Sequence, residues 1–288
     1  MHEFPPETPP QPASDATTPD VLPEVAMIPP SSVFPEPPMH LPAAREAPAW
    51  GMVEIGLFVV FAAVSVLFCG SLTMIWAMHS SAFKGQTVDA LAQNPMLLVP
   101  PQIAAYLLIL WCIWWLVRQK TEQRFSDAVK WNWPKSPARY AATGVVLAVV
   151  IQIASNFLPI PKSLPIEQYF RQTSSAYLIA AFGILAAPVV EELIFRGFLF
   201  PVFARRAGTL PAIVLTALLF AAIHQSQLAH AWAPLLMLFV VGLVLTSIRA
   251  LRQSVAATFI VHLFYNTTLF ALLWIATDHF RHLERAGQ

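Results

Sequence analysis

Charged side chains are scarce in this sequence. They make up 11% of its 288 residues, whereas 57% are hydrophobic, and a typical soluble domain carries about 25% charged residues. The shortage is uneven, because residues 1–49 hold seven acidic side chains and one basic side chain, Arg45. This distribution excludes a pair of ordinary globular domains and indicates a polar tail followed by an apolar membrane body.

Cysteine is rarer still, with only Cys69 and Cys112, and both lie in apolar runs without metal-type spacing. We therefore expect two buried thiols that pack as small hydrophobic side chains. Familiar protease motifs are missing as well. The sequence contains no His-Glu-x-x-His zinc helix, no Gly-x-Ser-x-Gly elbow and no Gly-x-Gly-Asp segment, so none of the protease classes that these motifs mark is indicated.

The N-terminal tail is rich in proline. Residues 1–49 hold 14 of the 26 prolines, which favour extended polyproline II conformations and remove backbone donors. Since this segment also lacks apolar periodicity, it is predicted to be disordered, either as a solvated tether or as a ligand for a proline-binding adaptor. We divide the chain into this tail, a first group of membrane helices with a basic loop, a core and a C-terminal tail, at residues 1–49, 50–139, 140–276 and 277–288.

Long apolar runs predict an all-α fold, a polytopic transmembrane helical bundle of about seven helices. About 20 apolar residues are needed to cross the hydrocarbon layer. Pro188 is expected to kink the long fourth run. An eighth membrane element is allowed, either by a split of that run or by a re-entrant piece near residues 158–170. The predicted spans are 52–78, 97–117, 140–158, 176–203, 209–225, 232–249 and 255–276.

Basic residues set the expected orientation. The connections after the second, fourth and sixth spans are basic, with Arg249 and Arg252 in the last of them, whereas the alternate connections are poor in Lys and Arg. The positive-inside rule then places these connections and the N-terminus in the cytoplasm. Tryptophans near the predicted borders, such as Trp50, are expected to anchor helices in the membrane interface. Because the loops are short, we expect a multi-pass protein of a bacterial inner membrane.

Six polar side chains stand out inside the predicted spans, where such groups are costly and usually functional. They lie on the fourth, fifth and seventh spans and are Glu191, Glu192, Arg196, His224, His262 and Asn266. Residues four apart share a helix face, so Glu192 can pair with Arg196, whereas Glu191 points about 100° away from Glu192. A structural ion pair, a hydrogen-bonded histidine or an interhelical amide clamp would explain any one of them, but the set would need several separate explanations.

These residues form three short motifs, which read Glu191-Glu192-x-x-x-Arg196, Phe220-x-x-x-His224 and His262-x-x-x-Asn266. In order and spacing they resemble the three motifs of the CPBP intramembrane proteases, also called the Abi or CaaX-protease-like family. The resemblance covers roughly residues 140–276 and implies a helical membrane fold with a polar cavity open to the cytoplasm. It further implies that Glu191 is the general base and His224 its partner. His262 and Asn266 would be the oxyanion donors, and Glu192 with Arg196 would shape the site.

Zinc is an open question at the sequence level. One glutamate and two histidines, Glu191, His224 and His262, are a plausible ligand set, and the family is often labelled metalloprotease. The water activation that the resemblance implies needs no ion, so we expect no required cofactor, with zinc as the alternative.

The sequence therefore predicts an intramembrane endopeptidase that hydrolyses peptide bonds through a Glu/His-activated water and a His/Asn oxyanion site. Its expected partners are the lipid bilayer and a membrane-associated protein or peptide substrate, with no nucleic acid. Two alternatives stay open. One is a non-catalytic membrane scaffold or bacteriocin-immunity-type protein on the same fold. The other is a proton- or ion-coupled transporter, which would also use intramembrane Glu, His and Arg side chains.

Overall fold

The computed structural model of the chain describes residues 1–2, 48–161, 164–170 and 172–282. The predicted disorder of the proline-rich tail therefore falls almost wholly outside the described residues. Every regular element in the described ranges is helical, which confirms the predicted all-α class. In chain order the α-helices are α1 Met52–His79, α2 Val88–Ala92, α3 Pro95–Arg118, α4 Phe125–Ala128, α5 Pro137–Ser155, α6 Thr173–Ala181, α7 Ala187–Glu192, α8 Phe200–Ala207, α9 Thr209–Ala222, α10 Trp232–Arg252 and α11 Val255–Ala276.

Within the described ranges, six helices are long and apolar enough to cross a membrane. Five of them are α1, α3, α5, α10 and α11, and the sixth is a continuous helix, Thr173–Ala207, that contains α6, α7 and α8. We call it the long helix. These spans make the chain an integral multi-pass membrane protein, as the sequence predicts.

The predicted fifth span, residues 209–225, is the main difference from the sequence prediction. Its helix, α9, ends at Ala222 and has 14 residues, which gives a rise of about 21 Å. The hydrocarbon core of a bilayer is about 30 Å thick. The helix is thus shorter than a full span, and His224 lies just beyond its last turn rather than on it.

The long helix changes its hydrogen-bond register twice. Two π-helical segments, Phe182–Ala186 and Leu193–Leu199, interrupt it, and a proline follows each one, Pro188 and Pro201. Proline has no N–H, and its ring crowds the carbonyl four residues back, so a wider turn relieves the clash. At Pro188, where the sequence predicts a kink, the structure therefore shows a change of register within one unbroken helix.

The stretch near residues 158–170, which the sequence allows as an eighth membrane element, is much shorter in the structure. Its regular part is a 3-10 helix, Pro165–Phe170. Phe170 packs its ring against Phe270, with 6.1 Å between the ring centres. The long helix is not split either, so neither route to an eighth spanning helix is realised in the described chain.

Small residues let the helices that carry the polar side chains approach closely. On α5, a Cβ at Gly144 would lie 2.9 Å from the backbone nitrogen of Tyr265 and would overlap the carbonyl of Val261. On α10, a Cβ at Gly242 would lie 3.0 Å from the Cα of Ala217 on α9. Close backbone contact through small residues is the usual way in which membrane helices associate.

Trp50, just before α1, is 2% exposed, so its ring packs inside the protein and is not presented to lipid as the sequence predicts. Its indole Nε1–H donates a 2.9 Å hydrogen bond to the carbonyl of Phe198, and its ring stacks on the Phe198 ring at 5.7 Å. Arg205 donates to the Trp50 carbonyl at 2.9 Å. The start of α1 is therefore tied to the C-terminal part of the long helix.

Candidate active site

The two adjacent glutamates lie at the end of α7, between the two π-helical segments of the long helix. Successive helical residues diverge by about 100°, so Glu191 and Glu192 point in different directions. Glu192 is fully buried, whereas the Glu191 side chain keeps 11% of its surface exposed. One carboxylate is therefore enclosed by protein, and the other borders a space that solvent can reach.

Glu192 pairs with Arg196, as the four-residue spacing predicts. The Nη1 of Arg196 lies 2.9 Å from Oε1 of Glu192, and both side chains are fully buried. The other guanidinium nitrogens donate to α10, Nη2 to the Gly242 carbonyl at 3.2 Å and Nε to Oγ1 of Thr246 at 3.3 Å. The guanidinium also lies 4.6 Å from the centre of the Phe220 ring on α9. The pair thus joins the long helix to two neighbouring helices.

His262 on α11 completes this buried cluster. Its Nδ1 lies 2.9 Å from Oε1 of Glu192, the same oxygen that accepts from Arg196. A carboxylate bonded to Arg196 acts as an acceptor, so Nδ1 of His262 is the donor. The other ring nitrogen, Nε2, is thereby directed at Glu191 and lies 3.8 Å from its Oε2.

His224 faces the opposite side of the Glu191 carboxylate. Its Nδ1 lies 2.8 Å from the Phe220 carbonyl, four residues back. A carbonyl oxygen only accepts, so Nδ1 carries the hydrogen and Nε2 of the neutral ring is an acceptor. That Nε2 lies 3.9 Å from Oε1 of Glu191, and the His224 side chain is 16% exposed. Each oxygen of Glu191 therefore faces one imidazole Nε2.

A water molecule that bridged Glu191 and His224 would span a distance near the one between these two side chains. A water that donates two hydrogen bonds of about 2.8 Å bridges acceptors roughly 4.4 Å apart, close to the 3.9 Å between Oε1 of Glu191 and Nε2 of His224. Beyond His224 the connection to α10 is polar and largely exposed. His224, whose side chain is 16% exposed, lies at the start of this connection.

Asn266 lies one helical turn beyond His262 on α11, but its hydrogen bond goes elsewhere. Its Nδ2 donates to the Gly183 carbonyl in the first π-helical segment at 2.7 Å. One amide hydrogen is therefore committed to the long helix, and the second remains for another acceptor. The structure brings His224 and His262 to the two carboxylate oxygens of Glu191, whereas the amide of Asn266 contacts the long helix at Gly183.

The sequence leaves zinc as an alternative at Glu191, His224 and His262. Among the described residues, no group of three or more His, Cys, Asp and Glu side chains could hold a metal ion. The two imidazole Nε2 atoms lie 3.8–3.9 Å from the Glu191 oxygens. Whether zinc is required stays open, as at the sequence level.

Sequence reasoning missed Arg249. The positive-inside argument treats it as a loop residue, but it is 3% exposed, and its Nε donates to the Arg196 carbonyl at 3.1 Å. The sequence did contain a signal that Arg249 faces the site. Gly242, Thr246 and Arg249 are spaced by four and three residues, which places them on one helix face. All three contact Arg196.

Comparison with known families identifies the segment that carries the site. Residues 173–268, about a third of the chain, match the family model described as Type II CAAX prenyl endopeptidase Rce1-like. Comparisons with curated proteins and with solved structures find no match. The matched segment contains all three motifs, so the family model and the motif resemblance point to the same residues.

Proposed function

We propose that this protein is an intramembrane endopeptidase that hydrolyses a peptide bond of a membrane-associated substrate. The observation that supports this most is the position of Glu191, a partly exposed carboxylate with an imidazole Nε2 facing each oxygen. The family match supports the reaction class. Peptide hydrolysis requires an activated water, donors for the oxyanion and a proton for the leaving amine.

Glu191 and His224 would activate the water. A water between Oε1 of Glu191 and Nε2 of His224 donates one hydrogen bond to each, because both are acceptors. This leaves an oxygen lone pair directed away from the two side chains and towards the substrate carbonyl. Glu191 takes the proton as the water oxygen forms a bond to the carbonyl carbon and the C=O electron pair moves onto oxygen.

His262 and Asn266 would stabilise the oxyanion that results. Nδ1 of His262 already donates to Glu192, so Nε2 can donate as well only when the ring is an imidazolium. The second amide hydrogen of Asn266 supplies the other donor. Glu191 then passes its proton to the leaving nitrogen, the C–N bond breaks, and one carboxylic acid and one amine are released.

We propose no metal in this reaction, since each step above uses the side chains alone. We further propose that the N-terminus is cytoplasmic, on the distribution of Lys and Arg among the connections. The family description names a CAAX prenyl endopeptidase, so we propose CaaX-type peptides as the first substrates to test. Such substrates end in a lipid-modified cysteine followed by three residues, so a farnesylated peptide is the first probe and its unprenylated twin is the second.

The experiment reconstitutes the protein in liposomes and measures cleavage of a quenched fluorogenic CaaX peptide, with and without the farnesyl group. His224→Ala is compared with His230→Ala, which removes an exposed imidazole from the same connection. We expect the first variant to lose about 100-fold or more in cleavage rate, and the second to cleave like the wild type. If the wild type cleaves neither peptide, or if His224→Ala cleaves as fast as His230→Ala, the proposal is overturned.

A further inference from the structure

The structure assigns a positioning role to Arg249. We infer that Arg249 supplies a hydrogen bond that Pro201 cannot make, and thereby holds the part of the long helix from which Arg196 reaches the site. This inference rests on the proposed function. It concerns a side chain outside the three motifs.

The need for the bond follows from the π-helical register. In the second π-helical segment the Phe200 N–H donates to the Phe195 carbonyl, five residues back. At that spacing the next donor would be residue 201, facing the carbonyl of Arg196. Residue 201 is proline and has no N–H. The Arg196 carbonyl is therefore left without its backbone donor, and a buried carbonyl without a partner is costly.

Arg249 supplies the missing donor from α10. Its Nε lies 3.1 Å from the Arg196 carbonyl oxygen, and the side chain is almost wholly buried. The guanidinium is held in place by a second bond, from Nη1 to Oε1 of Gln253 at 3.2 Å. It also lies 5.7 Å from the centre of the Phe200 ring. Burial of a guanidinium is costly unless it is well hydrogen-bonded, so we expect these hydrogen bonds to be the reason that Arg249 is buried here.

The first π-helical segment shows the same arrangement with different residues. There the Ala187 N–H donates to the Phe182 carbonyl, five residues back. The next donor at that spacing would be Pro188, facing the Gly183 carbonyl. Asn266 donates its amide to that carbonyl at 2.7 Å. In both places a side chain from a neighbouring helix replaces the N–H that a proline lacks, which argues against a chance contact at Arg249.

The effect on the site passes through Arg196. Its carbonyl accepts from Arg249, while its guanidinium holds Oε1 of Glu192. That oxygen in turn accepts from Nδ1 of His262, whose Nε2 faces Glu191. A shift of the Arg196 backbone would therefore move the imidazole relative to the carboxylate. Misplacement by about 1 Å at a reacting centre costs up to about 100-fold in rate.

The test compares Arg249→Met with Arg252→Met in the liposome assay. Both changes remove one positive charge at the same end of α10, but Arg252 is exposed. For Arg249→Met we expect kcat to fall about 10- to 100-fold with KM within about twofold of the wild type. Arg252→Met should match the wild type in both constants. Equal kcat values for the wild type and Arg249→Met would overturn the inference while leaving the proposed peptidase activity standing.

A second variant separates the hydrogen bond from general damage. Pro201→Ala returns an N–H that can reach the Arg196 carbonyl in the π-helical register, so Arg249→Met/Pro201→Ala should recover at least tenfold of the kcat lost in the single variant. Thermal unfolding verifies that the variants remain folded. If the double variant stays as slow as Arg249→Met, or if Arg249→Met is slow only because it is unfolded at the assay temperature, the positioning role is refuted. An inactive wild type would instead refute the proposed function.

Discussion

The buried pair of Glu192 and Arg196 gives the sharpest prediction about how this site is built. Replacing Arg196 with Met keeps the length of the side chain and removes every donor that it offers to Glu192 and α10. The Gly242 carbonyl still accepts from Thr246 at 2.7 Å, so the helix α10 keeps its own bond. The main consequence is that Glu192 stays buried without the guanidinium, while its hydrogen bond with Nδ1 of His262 remains.

The size of the effect follows from this arrangement. Removing one partner of a fully buried ion pair destabilises a protein by about 3–5 kcal/mol, because the other charge is left uncompensated. In a body of this size, 1 kcal/mol lowers the melting temperature by about 2–4 °C. Arg196→Met should therefore melt about 6–20 °C below the wild type.

The chain carries its own reporter for this measurement. Cys69 and Cys112 are both buried and not disulfide-bonded, as the sequence predicts, so a dye that becomes fluorescent on reaction with thiols detects unfolding in detergent. Glu192→Leu/Arg196→Met removes both charges and should recover most of the lost stability. It should stay inactive, because Nδ1 of His262 then has no carboxylate to orient it.

Two results would refute this reasoning. One is a melting temperature for Arg196→Met within about 2 °C of the wild type, which would mean that the pair contributes little. The other is full cleavage activity in the double variant, which would show that Glu192 does not orient His262.

Three further predictions follow from individual contacts. Asn266→Ala should slow cleavage. If the amide is an oxyanion donor, adding Pro188→Ala should not restore the rate, whereas restoration would show that the only role of Asn266 is to bond the Gly183 carbonyl. Gly144→Ala should lower both stability and activity, since its Cβ would press on the α11 backbone beside His262, whereas Gly56→Ala meets nothing within 4 Å and should melt no lower than the wild type. Dialysis against EDTA should leave the cleavage rate unchanged; a loss that zinc restores would contradict the metal-free mechanism.

Most of the fold was predictable because membrane burial leaves a strong signal in the sequence. Twenty-residue apolar runs mark the spans, and the predicted spans agree with α1, α3, α5, the long helix, α10 and α11 within a few residues at their ends. The prediction of a fifth span was wrong because hydropathy does not show where a helix ends. Residues 223–225 are compatible with a helix, but the chain turns at Ile223.

The convergence of the site was predictable only in part. Helical spacing correctly pairs Glu192 with Arg196, because an i, i+4 contact depends on local geometry alone. The contact of His262 with Glu192 joins residues 70 positions apart, and its register depends on the close packing of α11 on α5. No local pattern supplies that information.

The two register changes were beyond sequence reasoning for a physical reason. The sequence shows that Pro188 disturbs the helix. Whether the helix kinks or widens into a π-helical turn depends on which groups donate hydrogen bonds to the released carbonyls. Here the donors are Asn266 and Arg249, from helices that follow much later in the chain. Arg249 was assigned to a loop for a different reason, because the positive-inside rule counts Lys and Arg near the ends of spans as loop residues.

The central claim is that Glu191 activates the hydrolytic water, and one comparison tests it most directly. Glu191→Gln keeps the shape of the side chain and removes the base, and Glu167→Gln makes the same change at an exposed glutamate of the Pro165–Phe170 turn. In the liposome assay we predict that Glu191→Gln loses at least about 100-fold in kcat, with an unchanged melting temperature, and that Glu167→Gln cleaves like the wild type. Equal cleavage by the two variants would contradict the account.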